Sequence, residues 1–148
     1  MIVNFSLVTD LQLLIRRDFP LAVKELADPN GTNPLIDGEF MNLNTAYQLI
    51  RGMDGTPGWV VFTERGRFDV QALRKTTVLF GQTYEADTRV FTSAGLTLGG
   101  RLQINAAVTV DGKTKSGLSN YAAGEVIGFV TRLPANNGGK LRFIQNLF

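Results

Sequence analysis

The 148-residue sequence contains no cysteine and no histidine. Without cysteine there is no disulfide, no thiol nucleophile and no cysteine-ligated metal. Histidine is the commonest metal ligand and general base, so its absence leaves carboxylates, lysines and tyrosines as the candidate acids and bases. These absences disfavour an enzyme, and we predict no catalytic residue, metal ligand or cofactor. The lack of cysteine also suits assembly in a reducing cytoplasm.

Dense basic stretches and long apolar runs are missing as well. The 15 basic and 13 acidic residues give a net charge of +2, and the basic residues come only in pairs or close pairs, so nucleic-acid binding is not predicted. Residues Met1 to Phe5 carry no positive charge, and polar residues interrupt the apolar positions that follow. Neither a signal peptide nor a spanning helix is therefore expected.

Short segments of alternating polarity make up most of the chain. The clearest runs from Leu102 to Val110, and Asp111-Gly112 follows it. These two residues are preferred in a tight hairpin turn, because both of its central positions need a positive φ. Similar segments are residues 41–49, 59–63, 70–80, 84–92, 125–133 and 140–148. Many short strands separated by turn residues predict an all-β fold, either a β-barrel or a β-sandwich.

The N-terminal region alternates with a period of two, which favours an extended arm or strand. The rival prediction is a short helix capped by Thr9 or Asp10 that ends before Pro20. Residues 28–38 are rich in turn formers and predict a long loop. We therefore divide the chain into an N-terminal arm and linker at 1–32 and a single β-barrel-like body at 33–148.

Two groups of polar residues could carry chemistry, and each has a plainer interpretation. Glu85 and Asp87 would share a strand face like paired glycosidase carboxylates, but Arg89 continues that face, which indicates a solvated charge ladder. Ser116 lies close to two lysines, Lys113 and Lys115, as in a Ser–Lys arrangement. The same residues fit an exposed hairpin arm, which we favour.

Apolar side chains on exposed faces are the better candidates for function, because a partner could cover them. On the last strand Leu141, Phe143 and Leu147 share one face, which leaves Ile144 and Phe148 on the other. The predicted partner-binding residues comprise the arm, this face and the single tryptophan: Val3, Phe5, Leu7, Leu11, Leu13, Ile15, Trp59, Ile144 and Phe148.

Glycine-spaced stretches in the second part of the chain resemble those of small structural proteins of tailed phages. They are residues 33–40, 58–66, 96–102, 124–134 and 139–144. They are most similar to capsid decoration (cement) proteins, and the likeness extends over roughly residues 33–148. It implies a β-barrel-like body on the outside of the phage head, assembled as trimers or dimers, that clamps neighbouring subunits of the major capsid protein. No small-molecule substrate, nucleic acid or membrane is implied as a partner.

Residues 1–19 lie outside this likeness, so their role is argued from pattern alone. We expect an extended arm that adds a strand to the sheet edge of a neighbouring subunit. The alternatives to a decoration protein are another virion component such as a tail or baseplate protein, a carbohydrate- or receptor-binding β module, and a carboxylate-based hydrolase.

Overall fold

The computed structural model describes residues 3–10, 14–28, 30–63, 75–80 and 83–145. Within these ranges helix is limited to two 3-10 turns, Lys24–Ala27 and Pro134–Asn136, so the predicted all-β class is confirmed. No helix in the described ranges is long and apolar enough to cross a bilayer. The strands are β1 (Phe5–Leu7), β2 (Arg16–Pro20), β3 (Phe40–Leu43), β4 (Leu49–Arg51), β5 (Trp59–Val60), β6 (Lys75–Leu79), β7 (Tyr84–Thr88), β8 (Arg101–Val110), β9 (Lys113–Asn120), β10 (Gly128–Arg132) and β11 (Leu141–Gln145).

The largest element is an antiparallel six-stranded sheet with the order β1-β7-β11-β10-β8-β9. It curls into a half-barrel. The segment after β7 crosses to the far edge, where Leu118 N donates to Val90 O at 3.0 Å and Thr92 N donates to Leu118 O at 2.9 Å. These bonds cover part of β9, whose backbone would otherwise be an open sheet edge.

The concave face of this sheet holds the main apolar core. Phe143 on β11 contacts three other rings, those of Phe5, Phe40 and Tyr84, at centroid distances of 6.0 to 6.5 Å. The Tyr84 hydroxyl is hydrogen-bonded to the Gln145 side chain, whose amide in turn donates to Gly58 O at 3.1 Å. Burial raises the pKa of Tyr84 well above its ordinary value, so the phenol stays neutral.

Two smaller sheets complete the body. One has the order β4-β3-β5 and the other pairs β2 with β6. Single bridges join them, Val61 with Val78 and Leu21 with Leu49. A second apolar cluster lies between them, formed by Leu21, Ala27, Met41, Leu49, Val61 and Val78.

The N-terminal region is extended where the structure describes it. β1 pairs with β7, and β2 pairs with β6. Ile15, which the rival prediction placed in a helix, accepts a hydrogen bond from Phe80 N at 2.9 Å and so continues the β2–β6 pairing. Strands on both sides of residue 15 are thus part of the sheets of the body.

The predicted single strand over residues 41–49 is wrong, because the chain turns back on itself there. β3 and β4 form a hairpin in which Met41 pairs with Arg51 and Leu43 with Leu49. Asn44 organises the turn, since its side-chain oxygen accepts hydrogen bonds from Ala46 N and Gln48 N, both at 2.9 Å. The alternation of polarity continued through the turn and concealed it.

The predicted β8–β9 hairpin is confirmed. Asp111 and Gly112 both have positive φ, 50° and 77°, as the tight turn requires. A bulge between Asn105 and Val108 interrupts the pairing, and Asn105 Oδ1 accepts from Ala107 N within it at 2.8 Å.

We expect Gly112→Ala to lower the free energy of unfolding by about 1 kcal/mol. A Cβ at this position would meet nothing within 4 Å, so the cost is entirely that of the left-handed backbone. Gly112→Asn is the matched control, because asparagine tolerates this conformation. Urea unfolding measures both, and equal losses for the two variants would contradict this account.

Candidate interaction surfaces

The predicted partner-binding residues are divided between surface and core. Val3 and Ile15 are exposed, at 41% and 48%. Phe5 is not available to a partner, because it is only 3% exposed and packs against the rings of Phe62 and Tyr84. Leu7 packs partly buried against the same core. Of the remaining predicted residues, Leu11, Leu13 and Phe148 lie outside the described ranges.

The pairing of β1 with β7 restricts the predicted role of the N-terminal arm as a strand donated to a neighbouring subunit. β1 already belongs to the sheet of its own chain, so adding it to a neighbour's sheet would require it to leave β7. The apolar positions at Phe5 and Leu7 are used by the chain's own core. Strand donation by this segment would therefore expose two core side chains.

Trp59 belongs to an aromatic cluster that bridges the two smaller sheets. Its ring stacks on Phe80 with centroids 4.9 Å apart and an interplanar angle of 27°. Phe19 lies 5.8 Å from Phe80, and the Arg17 guanidinium lies 5.7 Å from the Phe80 centroid. The three rings are half-buried. Such a rigid cluster anchors β2 to the body and presents a firm, partly apolar surface.

A shallow depression of about 430 Å³ shares Arg17 with this cluster, and Leu14, Arg16, Asp18 and Thr77 complete its lining. The Asp18 carboxylate accepts a hydrogen bond from Thr77 Oγ1 at 2.5 Å. Charges of both signs meet here, so the lining does not favour one class of ligand.

Ile144 lies on the convex face of the six-stranded sheet, as predicted for its side of the last strand. Neighbouring strands place Glu85 and Phe129 beside it, and Arg101 comes next to Phe129. We call Glu85, Ile144, Phe129 and Arg101 the outer row. Neither Ile144 nor Phe129 belongs to the apolar clusters of the core. The outer row thus has two half-exposed apolar side chains in the middle and one charge of each sign at its ends.

Within the described ranges the two charges of the outer row have no ion-pair partner. Arg101 lies with its guanidinium 4.8 Å from the Tyr121 ring centroid. Glu85 attracts the neighbouring Arg142, but the guanidinium of Arg142 binds Asp87, with distances of 2.8 and 3.1 Å. Arg142 lowers the pKa of Asp87 below its ordinary value. Asp87 is therefore the internally paired acid of this face, and Glu85 remains available.

Tyr47 is an exposed aromatic residue that the sequence did not single out. It lies in the turn between β3 and β4, is 73% exposed and has a φ of 59°. Glycine or asparagine would fit this left-handed conformation with less strain. Residues held in strained backbone conformations cluster at functional sites, so Tyr47 is a candidate functional residue.

A buried ionic cluster, also missed from the sequence, consists of Glu39, Arg51 and Lys115. Glu39 is 0% exposed, and its Oε1 accepts from Arg51 Nε at 2.8 Å and from Ser116 N at 3.1 Å. Its Oε2 accepts from Ile36 N at 3.0 Å and from Arg51 Nη2 at 3.2 Å. One carboxylate thus joins the loop before β3, strand β4 and strand β9.

We predicted an exposed hairpin arm at Lys113 to Ser116. This is wrong for Lys115 and Ser116, which are only 3% and 1% exposed. The Lys115 ammonium donates to Pro34 O and lies 4.0 Å from Glu39 Oε2. Burial lowers the pKa of Lys115, and the negative charge of Glu39 opposes that shift. Ser116 Oγ donates to Gly52 O at 3.1 Å. These contacts are those of a structural cluster rather than of a Ser–Lys nucleophile pair.

In the described ranges no group of three or more acidic side chains that could hold a metal ion occurs. Burial raises the pKa of Asp37, and the hydrogen bonds that Thr63 N and Oγ1 donate to its carboxylate at 3.0 and 2.8 Å oppose that shift. Both bonds tie the loop before β3 to the end of the β5 segment.

We expect Glu39→Gln to lower the free energy of unfolding by about 3–5 kcal/mol. Removing the carboxylate leaves two buried or half-buried cations without a counter-charge. Lys115→Met is the matched control, because Glu39 then keeps Arg51 and the cluster becomes neutral. Urea denaturation compares the two, and a loss for Lys115→Met as large as that for Glu39→Gln would contradict the prediction.

We expect Asp87→Asn to make the free energy of unfolding less dependent on pH in the acid range. The folded-state pKa of Asp87 lies below 3.8, so its pairing stabilises the protein above about pH 4 and is lost as the pH falls through the folded value. The variant should lose stability at pH 7 but decline less between about pH 4 and 2. Thermal melts across this range measure the effect. Glu125→Gln, a change at an exposed carboxylate, should leave the profile unchanged.

Comparison with known proteins adds no relative to this description: no protein-family model, curated protein or solved structure matches the chain.

Proposed function

We propose that the chain is a structural protein of a tailed-phage virion that binds the outside of the capsid. In this role it stabilises the shell by bridging neighbouring subunits of the major capsid protein. The resemblance of residues 33–148 to decoration proteins motivates the proposal. The all-β body with exposed aromatic and apolar side chains is compatible with it.

Tyr47 is the observation that carries the proposal furthest. Its ring is largely exposed at the tip of a hairpin, and its backbone conformation costs about 1 kcal/mol relative to glycine. Tyrosine offers a large, rigid contact area with a polar end, which makes it common in protein interfaces. We assign it as a contact residue for the capsid surface.

The physical mechanism is the burial of surface across subunit boundaries. A single copy need bind only weakly, because many copies on one shell act together. Each bound copy links subunits that would otherwise separate on heating, so the shell is stabilised by mass action.

A sugar-binding module is less well supported by the aromatic cluster. Sugar-stacking sites need a free ring face, whereas Phe80 is contacted by Trp59, Phe19 and Arg17. A tail or baseplate protein would use similar surfaces, and it is distinguished by the particle to which the protein binds.

The test is to add the purified protein to expanded heads that lack a decoration protein. We expect co-sedimentation with the heads and a rise in their melting temperature. Tyr47→Asn should bind at least about 10-fold more weakly, equivalent to about 1.4 kcal/mol. Its own melting temperature should be unchanged or higher, because asparagine relieves the backbone strain.

Leu98→Asn is the control, since it also replaces an exposed apolar residue in a different loop. It should bind heads like the natural sequence. Absence of binding to heads, or binding to tails instead, would refute the capsid assignment. Full binding by Tyr47→Asn would refute the role of Tyr47.

A further inference from the structure

We propose that the outer row of the six-stranded sheet binds the outer row of a second copy of this chain. The twofold axis of this dimer lies parallel to the strands and between β10 and β11. This adds a partner for a different surface and does not depend on binding to the shell.

The order of the outer row makes it complementary to itself. Across four neighbouring strands it runs Glu85, Ile144, Phe129, Arg101. A twofold rotation about an axis along the strands reverses that order on the facing copy. Glu85 then meets Arg101 of the partner, and Ile144 meets Phe129, so each dimer contains two ion pairs around an apolar centre.

The spacing of the row supports this match. Strands in a sheet are about 4.8 Å apart, so Glu85 and Arg101 are separated by roughly 14 Å in both copies and come into register together. An axis across the strands would instead oppose Glu85 to Glu85 and Arg101 to Arg101, which the like charges disfavour. Charge therefore selects one of the two symmetric ways to stack this face.

The curvature of the sheet determines which side chains of the outer row come closest to a second copy. The outer face of a half-barrel is convex, so two copies approach most closely at the middle of the row. Ile144 and Phe129 lie there. The gap widens on either side, so Glu85 and Arg101 lie at the edge of the contact.

The state of each charge in one copy also favours the pairing. Within the described ranges Glu85 has no ion pair, and Arg101 is held beside the Tyr121 ring without a carboxylate. A neighbouring charged pair on this face, Asp87 and Arg142, is already satisfied internally. Association thus supplies counter-charges to Glu85 and Arg101, and it covers two apolar side chains.

Four side chains on each copy form a contact smaller than the roughly 800 Å² per partner of a standard interface. We therefore expect a reversible dimer whose population rises with protein concentration. The ion pairs lie at the rim, so added salt should weaken the dimer.

Charge reversal tests the proposal. Sedimentation velocity over a concentration series should give a monomer–dimer equilibrium for the natural sequence. Arg101→Glu and Glu85→Arg should each weaken self-association at least about 10-fold, because each places like charges opposite one another. Mixing the two variants should restore association, since every Glu–Arg pair is then re-formed between unlike copies. Glu125→Arg, the same charge change on an exposed loop, should leave the equilibrium unaltered.

Circular dichroism and thermal melts establish that each variant is folded. A natural protein that stays monomeric at all concentrations, or that forms a trimer, would overturn the proposal. So would single variants that associate normally, or a mixture that fails to associate. Loss of head binding with the dimer retained would refute the capsid role and leave this inference standing.

Discussion

The carboxylate of Glu39 is the contact on which the arrangement of the sheets depends. It is fully buried immediately before β3, and it receives hydrogen bonds from a loop, from β4 and from β9. A buried charge is tolerated only when it is paired. The carboxylate is therefore satisfied only when these three parts of the chain are in contact with it. The small sheet is thereby joined to the edge of the large one by a polar contact rather than by apolar packing alone.

The contacts of Glu39 also fix the base of the β3–β4 hairpin, which carries the candidate contact residue Tyr47. Arg51 at the end of the β3–β4 hairpin is fixed by Glu39, and it also donates to Asn33 O at 2.9 Å. The base of the hairpin is therefore fixed, and Tyr47 lies at its tip. A contact residue on a rigid hairpin loses less entropy on binding than one on a free loop. This gives a physical reason why a strained tip and a buried ion cluster occur in the same hairpin.

Local features of the fold were predictable from the sequence, and features that depend on distant pairing were not. Asp111-Gly112 predicted the β8–β9 hairpin correctly, because turn type depends on two adjacent residues. The alternation at Leu141, Phe143 and Ile144 assigned the described part of the last strand to the correct faces. The turn at Asn44 was missed because polar and apolar residues alternate through it without a glycine or proline. Lys115 was expected to be exposed because its counter-charge, Glu39, lies 76 positions earlier and nothing local indicates that it is buried.

The same pair of residue types has opposite roles inside and outside the molecule. Glu39 and Arg51 satisfy one another within the chain, so their charges specify how the chain folds and leave nothing for a partner. Two strands, which carry Ile144 and Phe129, lie between Glu85 and Arg101. The two charges are therefore too far apart to form an ion pair within one copy. This separation became visible only when four strands distant in sequence were placed side by side. An acid and a base held apart on either side of an apolar centre specify a partner with the reverse order, and a second copy of the chain turned about the strand direction has that order.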